Sequence, residues 1–196
     1  MYEINSKLLA LEEKGTPIHV SLIGCGQMGK DIIAQISEMK GMHCDIVVDL
    51  DTATSIDGFH QAGYTDADIV VTNDQAAAES AIEQGKKVAT TNYKLAIAAK
   101  QTQVVIDATG SPEMGARVTM ECIFYKKHIV MMNVECDVTI GPLLRRMCEQ
   151  AGIVYSLTAG DEPGSIVEVY RFATALGFKV VAAGKGKNNP LDIYAH

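Results

Sequence analysis

The chain has 196 residues, 47% of them hydrophobic and 21% charged, an ordinary globular composition with room for one full domain and part of a second. A formal net charge of −7 without a basic cluster argues against nucleic acid and anionic membrane surfaces as partners. No apolar run reaches the ~18 residues of a membrane span, and Met1-Tyr2-Glu3-Ile4-Asn5-Ser6 lacks the charged-then-apolar layout of a signal peptide.

Residues 3–14 predict a short amphipathic helix that packs Ile4, Leu8 and Leu11 and is broken by Gly15-Thr16-Pro17. The run from Ile18 to Ile23 reads as a buried strand, and 27–39 as a helix with Met28, Ile32, Ile33, Ile36 and Met39 on one side. Between them stands Gly24-Cys25-Gly26-Gln27-Met28-Gly29. A G-x-G-x-x-G element is informative when it joins a strand to a helix. The first glycine permits the tight turn, the second lets a pyrophosphate approach the backbone, and the third lets helix and strand pack closely. The helix start supplies N–H groups and a dipole for phosphate.

The next strand, 44–49, ends at Asp49, 20 residues beyond Gly29. A carboxylate there accepts hydrogen bonds from a ribose 2′-hydroxyl and repels a 2′-phosphate. No Lys or Arg occurs between Lys40 and Lys86, whereas nine acidic residues do. The pattern favours NAD over NADP. Gly24, Gly26, Gln27, Met28, Gly29 and Asp49 are therefore candidate cofactor-binding residues.

Further strands are expected near 87–90, 104–108, 128–132, 153–156 and 178–183, with helices near 74–84, 93–100, 113–126, 139–151 and 164–176. The strands are continuous apolar runs, as expected where helices cover both faces. Ser111-Pro112-Glu113 marks a helix start, and Gly85, Gly152 and Gly177 are placed as left-handed caps. The alternation predicts an α/β fold with a doubly wound, mostly parallel sheet.

Ligands of such sheets lie beyond the carboxyl ends of the strands. Thr109 and Gly110, after one strand, are placed near the nicotinamide half of a dinucleotide. Asn133 and Glu135 follow the next; Asn133 would orient a carboxamide or substrate, and Glu135 would position a substrate hydroxyl or carry protons. Thr158 to Ser165 joins a strand to a helix and offers Asp161 and Glu162. Gly184-Lys185-Gly186-Lys187-Asn188-Asn189 is donor-rich and suits an anion or a carbonyl gaining negative charge. Lys185, Lys187, Asp161 and Glu135 are thus catalytic candidates, and Asn188 and Asn189 substrate-binding ones.

The five cysteines, Cys25, Cys44, Cys122, Cys136 and Cys148, form no C-x-x-C and no Cys/His metal spacing. They read as reduced thiols of a cytoplasmic protein without a metal site.

Gly24 to Gly29, Asp107-Ala108-Thr109-Gly110, Met131 to Glu135 with Asp137 to Pro142, Gly160 to Gly164 and Gly184 to Asn189 resemble the N-terminal part of homoserine-dehydrogenase-like oxidoreductases that carry a SAF domain, a group that includes deoxyxylulose-phosphate-reductoisomerase-like enzymes. The resemblance implies a Rossmann NAD(P)-binding domain over 1–156. It also implies the beginning of a substrate and dimerisation domain over 157–196 that other members continue. Hydride would pass between nicotinamide and a small polar carbonyl or alcohol, phosphorylated or not, in a homo-oligomer. The rival expectation is a dinucleotide-binding module or redox sensor without catalysis.

Overall fold

The computed structural model describes residues 2–158 and 164–184. Chain contacts divide it into two units, with the boundary between Leu157 and Thr158. The first unit holds helix α1 (Tyr2–Glu13), strand β1 (Ile18–Ile23), α2 (Gln27–Glu38), β2 (Met42–Val48), α3 (Thr52–Gln61), β3 (Ile69–Val71), α4 (Gln75–Glu83), β4 (Lys87–Thr90), α5 (Tyr93–Ala98), β5 (Val104–Asp107), α6 (Pro112–Tyr125), β6 (His128–Met131), α7 (Val134–Ala151) and β7 (Tyr155–Leu157). The second holds α8 (Gly164–Ala175).

The strands form one seven-stranded parallel sheet, in the order β3-β4-β2-β1-β5-β6-β7. Successive side chains of a strand face opposite layers, and the two cores follow that rule. Val20, Leu22 and Val47 pack with Ile33 and Ile36 of α2 and Phe59 of α3. Ile23, Ile46, Val48 and Val105 pack with residues of α4, α5, α6 and α7. Apolar residues on both faces explain why these strands read as continuous runs rather than alternating ones. The chain runs outward from β1 to one side, then returns through α5 to begin β5 on the other. The crevice beyond the carboxyl ends of β1 and β5 is the switch point of the sheet.

Most helix termini are written locally. Asp51, Asp74, Asn92, Ser111 and Asn133 each accept a backbone hydrogen bond at the N-terminus of α3, α4, α5, α6 and α7. Gly85, Gly152 and Gly177 take the left-handed conformation expected of them.

Five sequence expectations are corrected. Helix α3 and strand β3 were not expected: α3 is rich in Thr, Ser and Gly, weak helix formers, and β3 has only three residues. Helix α7 begins at Val134 rather than 139, because the Asn133 cap starts it early and the helix runs through Pro142. Ile4 is exposed, so α1 packs through Leu8 instead. The stretch 178–183 is not a strand. Its residues have β-propensity, but a strand needs a ladder, and among the described residues of its unit no strand exists to pair with it.

Candidate functional site

The glycine turn sits on the end of β1. Gly24 N–H donates to the Val48 carbonyl of β2, and Ala108 N–H donates to the Ile23 carbonyl of β1. The turn and the loop after β5 therefore start from the same strand end. Their approach is close: a Cβ on Gly24 would lie 2.7 Å from the Ala108 carbonyl carbon and 2.9 Å from the Thr109 nitrogen, and the residue has φ +95°. A side chain is excluded there on both counts. A Cβ on Gly29 would lie 2.2 Å from the Gly24 carbonyl oxygen, so α2 seats on β1 only with glycine at that position.

Gly26 differs. Nothing lies within 4 Å of a Cβ built on it. It is the N-cap of α2, where no side chain caps the helix and the first turn holds no acid. The five helices just named each have a side-chain cap; α2 presents bare N–H groups beside open space. That combination is a cradle for an anionic group.

Asp49 follows β2 and is partly buried. One carboxylate oxygen accepts from the Cys25 amide at 2.6 Å, and the other from the Leu50 amide at 2.7 Å. The carboxylate is thus fixed against the glycine turn and retains acceptor capacity. Cys25 points under the turn. It is fully buried, with its thiol 3.5 Å from the Thr54 carbonyl. Burial, aided by the Asp49 charge, pushes that thiol up from 9.0 to about 11. Gly58 of α3 gives the sulfur its room, since a Cβ there would lie 2.6 Å from it.

On the β5 side, Asp107 is fully buried at the strand's end. Burial pushes its carboxyl up, opposed by hydrogen bonds from Thr109 and Asn133. Thr109 N–H donates to one oxygen at 3.0 Å, and the Asn133 amide donates to the other at 3.1 Å. The same Asn133 amide nitrogen lies 3.2 Å from Thr109 Oγ1 and 2.8 Å from the Ser111 carbonyl, while its oxygen accepts from Cys136 N–H. Only 1% of Asn133 is exposed. Its amide is satisfied inside the protein, where it holds the loop and caps α7.

The fold brings Gly24, Gly26, Gly29, Asp49, Thr109 and Gly110 to one end of the sheet, at its switch point. Gln27 and Met28 stand exposed in the first turn of α2, with Gln27 hydrogen-bonded to Asp31. Glu135 is exposed in the first turn of α7. Asp161, Lys185, Lys187, Asn188 and Asn189 lie outside the described residues. Asp107 was not among the candidate residues; it is a lone carboxylate closing an otherwise apolar strand, Val104-Val105-Ile106-Asp107. Among the described residues no group of three or more His, Cys, Asp or Glu side chains is arranged to hold a metal, and no helix is long and apolar enough to cross a membrane.

Comparison with known proteins gives two family matches. Residues 18–158 match the model described as dihydrodipicolinate reductase, N-terminus. Residues 160–196 match the model described as oxidoreductase DRL, catalytic domain. No curated protein sequence matches the chain. Among solved structures, it resembles an oxidoreductase from Agrobacterium radiobacter in complex with NAD+, L-tartaric acid and magnesium, with 14% identity, a TM-score of 0.62, and coverage of 83% of this chain and 41% of that one. It also resembles the WlbA dehydrogenase from Bordetella pertussis in complex with NADH and UDP-GlcNAcA (16% identity, TM-score 0.53, 82% and 42% covered). A third is an NAD binding oxidoreductase from Klebsiella pneumoniae (17%, 0.53, 82% and 39%). At these identities the likeness is one of fold, and the chain spans about two fifths of the length of each.

Proposed function

The chain belongs to the family described as dihydrodipicolinate reductase, N-terminus, and on that premise we propose that it is the cofactor-binding portion of an NAD-dependent oxidoreductase. The observation that carries this reading is the pairing of the uncapped start of α2 at Gly26 with the Asp49 carboxylate on the adjoining strand end. The pyrophosphate rests on the bare N–H groups of α2. Asp49 takes the adenosine ribose hydroxyls and disfavours a 2′-phosphate. Lys30, the nearest lysine along α2, is held by Asp57 rather than left for a phosphate. The Thr109–Gly110 loop faces the nicotinamide.

Within that reading, hydride passes between nicotinamide and a carbonyl or alcohol of a small polar substrate. The cofactor supplies the redox chemistry and the protein supplies placement and polarisation. The match of residues 160–196 to an oxidoreductase catalytic domain supports a substrate-facing segment there. Lys185 or Lys187 stabilises the developing alkoxide, Asp161 or Glu135 serves the proton, and Asn188 and Asn189 hold the substrate. The narrower kinship with SAF-domain, homoserine-dehydrogenase-like enzymes rests on the motifs quoted above. Residues 157–196 then begin a substrate and dimerisation domain. Five free, buried thiols suit a cytoplasmic setting.

Calorimetric titration with NADH and NADPH separately tests the proposal. Tighter binding of NADH is expected; preference for NADPH, or binding of neither, overturns it. Turnover with a panel of polyols and hydroxy acids supports the enzyme, whereas tight NADH binding without turnover favours a redox sensor.

A further inference from the structure

We infer that Asp107 and Asn133 form a positioning pair for the nicotinamide half of the cofactor: they set the shape of the Thr109–Gly110 loop without touching the ligand. The inference rests on the NAD-binding reading above.

Asp107 is fully buried and Asn133 is 1% exposed, so neither side chain is a ligand contact. Both nevertheless lie at the switch point, where β5 runs beside β1. Asp107 ends β5, whose register runs beside β1 up to Ile23. Its carbonyl accepts from both Met132 and Asn133 N–H groups, which clamps the end of β6 to the end of β5. Its carboxylate accepts from Thr109 N–H at 3.0 Å and from the Asn133 amide at 3.1 Å. Asn133 in turn reaches Thr109 Oγ1, the Ser111 carbonyl and Cys136 N–H.

One carboxamide therefore joins four pieces: the end of β5, the loop after it, the start of α6 and the start of α7. The loop it shapes includes Gly110, which has φ +67° with nothing within 4 Å of a Cβ. Gly115 makes the arrangement possible, because a Cβ there would lie 2.9 Å from the Asn133 amide nitrogen and 2.7 Å from Cys136. A loop so heavily fastened from beneath, yet open above, is preorganised for a ligand rather than merely closed. Asp49 and the open start of α2 at Gly26 share none of these bonds, and only Gly24 of the glycine turn abuts the loop, so the pair acts chiefly on the nicotinamide half of a dinucleotide.

The test compares NADH with ADP-ribose, which lacks the nicotinamide, on the full chain. Asn133→Ser retains a cap for α7 but removes the donor to Asp107. NADH affinity is expected to fall about tenfold, equivalent to about 1.4 kcal/mol, while ADP-ribose affinity stays within about twofold of wild type. The exchange D107N/N133D restores a donor–acceptor pair between the two residues in the reverse sense and retains an acid cap for α7, but not the donation to the Ser111 carbonyl; it is expected to recover only part of the NADH loss, as coupled partners do. Equal weakening of both ligands, no change in either, or loss of folding in both variants overturns the inference and leaves the pair to the fold alone. Failure of wild-type protein to bind either ligand would instead sink the cofactor reading itself.

Discussion

Asp49 accepts a 2.6 Å hydrogen bond from the Cys25 amide, so the residue assigned to the ribose also braces the turn assigned to the pyrophosphate. A carboxylate that accepts from backbone N–H is held in one rotamer before a ligand arrives. The proposed adenosine half of the site is thereby held in place from two adjacent strand ends.

Substituting that carboxylate should act on both groups. Asp49→Ala is expected to weaken NADH binding about tenfold to a hundredfold, the scale of a charged hydrogen bond of about 1.5–3 kcal/mol. It should also erase discrimination against NADPH, because the repelling charge is gone. Paired calorimetric titrations with the two cofactors measure this. An unchanged NADH:NADPH ratio would remove Asp49 from the ribose role.

Two glycines of the same turn should behave oppositely. A Cβ at Gly26 meets nothing within 4 Å, and its backbone, at φ −68°, suits any residue. Gly26→Val should therefore fold, losing no more than about 1 kcal/mol for the poorer N-cap, and lose NADH binding, as the side chain fills the cradle. A Cβ at Gly29 meets the Gly24 carbonyl oxygen at 2.2 Å. Gly29→Ala must push α2 off β1 and should cost about 2 kcal/mol or more, in the range of overpacked cores. Urea denaturation of the two variants beside their NADH titrations separates space needed for a ligand from space needed for the fold.

That contrast also marks what the chain discloses unaided. The βα turn, the sheet class and the cap at Ser111 arise from residues close in sequence, where spacing and local hydrogen bonding decide the outcome. The cap at Asn133 is local too, yet its amide's bonds to Asp107 and Ser111 span 26 and 22 residues. Nothing in Met131-Met132-Asn133 announces them. Helix α3 was hidden for another reason: Phe59 alone of its large residues is fully buried, and its weak helix formers are held by packing against α2 rather than by propensity. The strand expected at 178–183 had the right composition and no partner, which no local pattern reveals.

Cys25 gives a pH prediction. Its thiol is pushed up from 9.0 to about 11 in the folded protein, chiefly by burial. The unfolded chain releases that proton near its ordinary value, so the folded state binds more protons between about pH 9 and 11. Stability from this group is therefore full below pH 9 and declines as pH rises towards 11. Cys25→Ser should flatten that part of the stability–pH curve in urea titrations. Native protein should react slowly with iodoacetamide at pH 8, because the thiolate is scarce and the sulfur is covered. Rapid labelling of Cys25 in folded protein would contradict the burial.

The last prediction concerns the opposite end of the sheet. Asp45 accepts from Lys87 at 3.1 Å and pairs with His19 at 2.6 Å. The β1–β2 register slips at this point, since Val20 faces Cys44 while Ser21 faces Ile46, and Asp45 is the residue left over. Lys87 begins β4, is 6% exposed, and has its ammonium 5.2 Å from the Tyr64 ring centre. Lys87→Met keeps the aliphatic stem but leaves a buried carboxylate with one partner fewer. Breaking a buried pair in this way costs about 3–5 kcal/mol, while the hydrogen bond between His19 and Asp45 remains. Urea midpoints should show the loss. NADH affinity should not change, because β4 opens at the amino-terminal edge of the sheet while the glycine turn lies beyond the carboxyl ends. A matching fall in NADH affinity would mean that the two ends of the sheet are coupled.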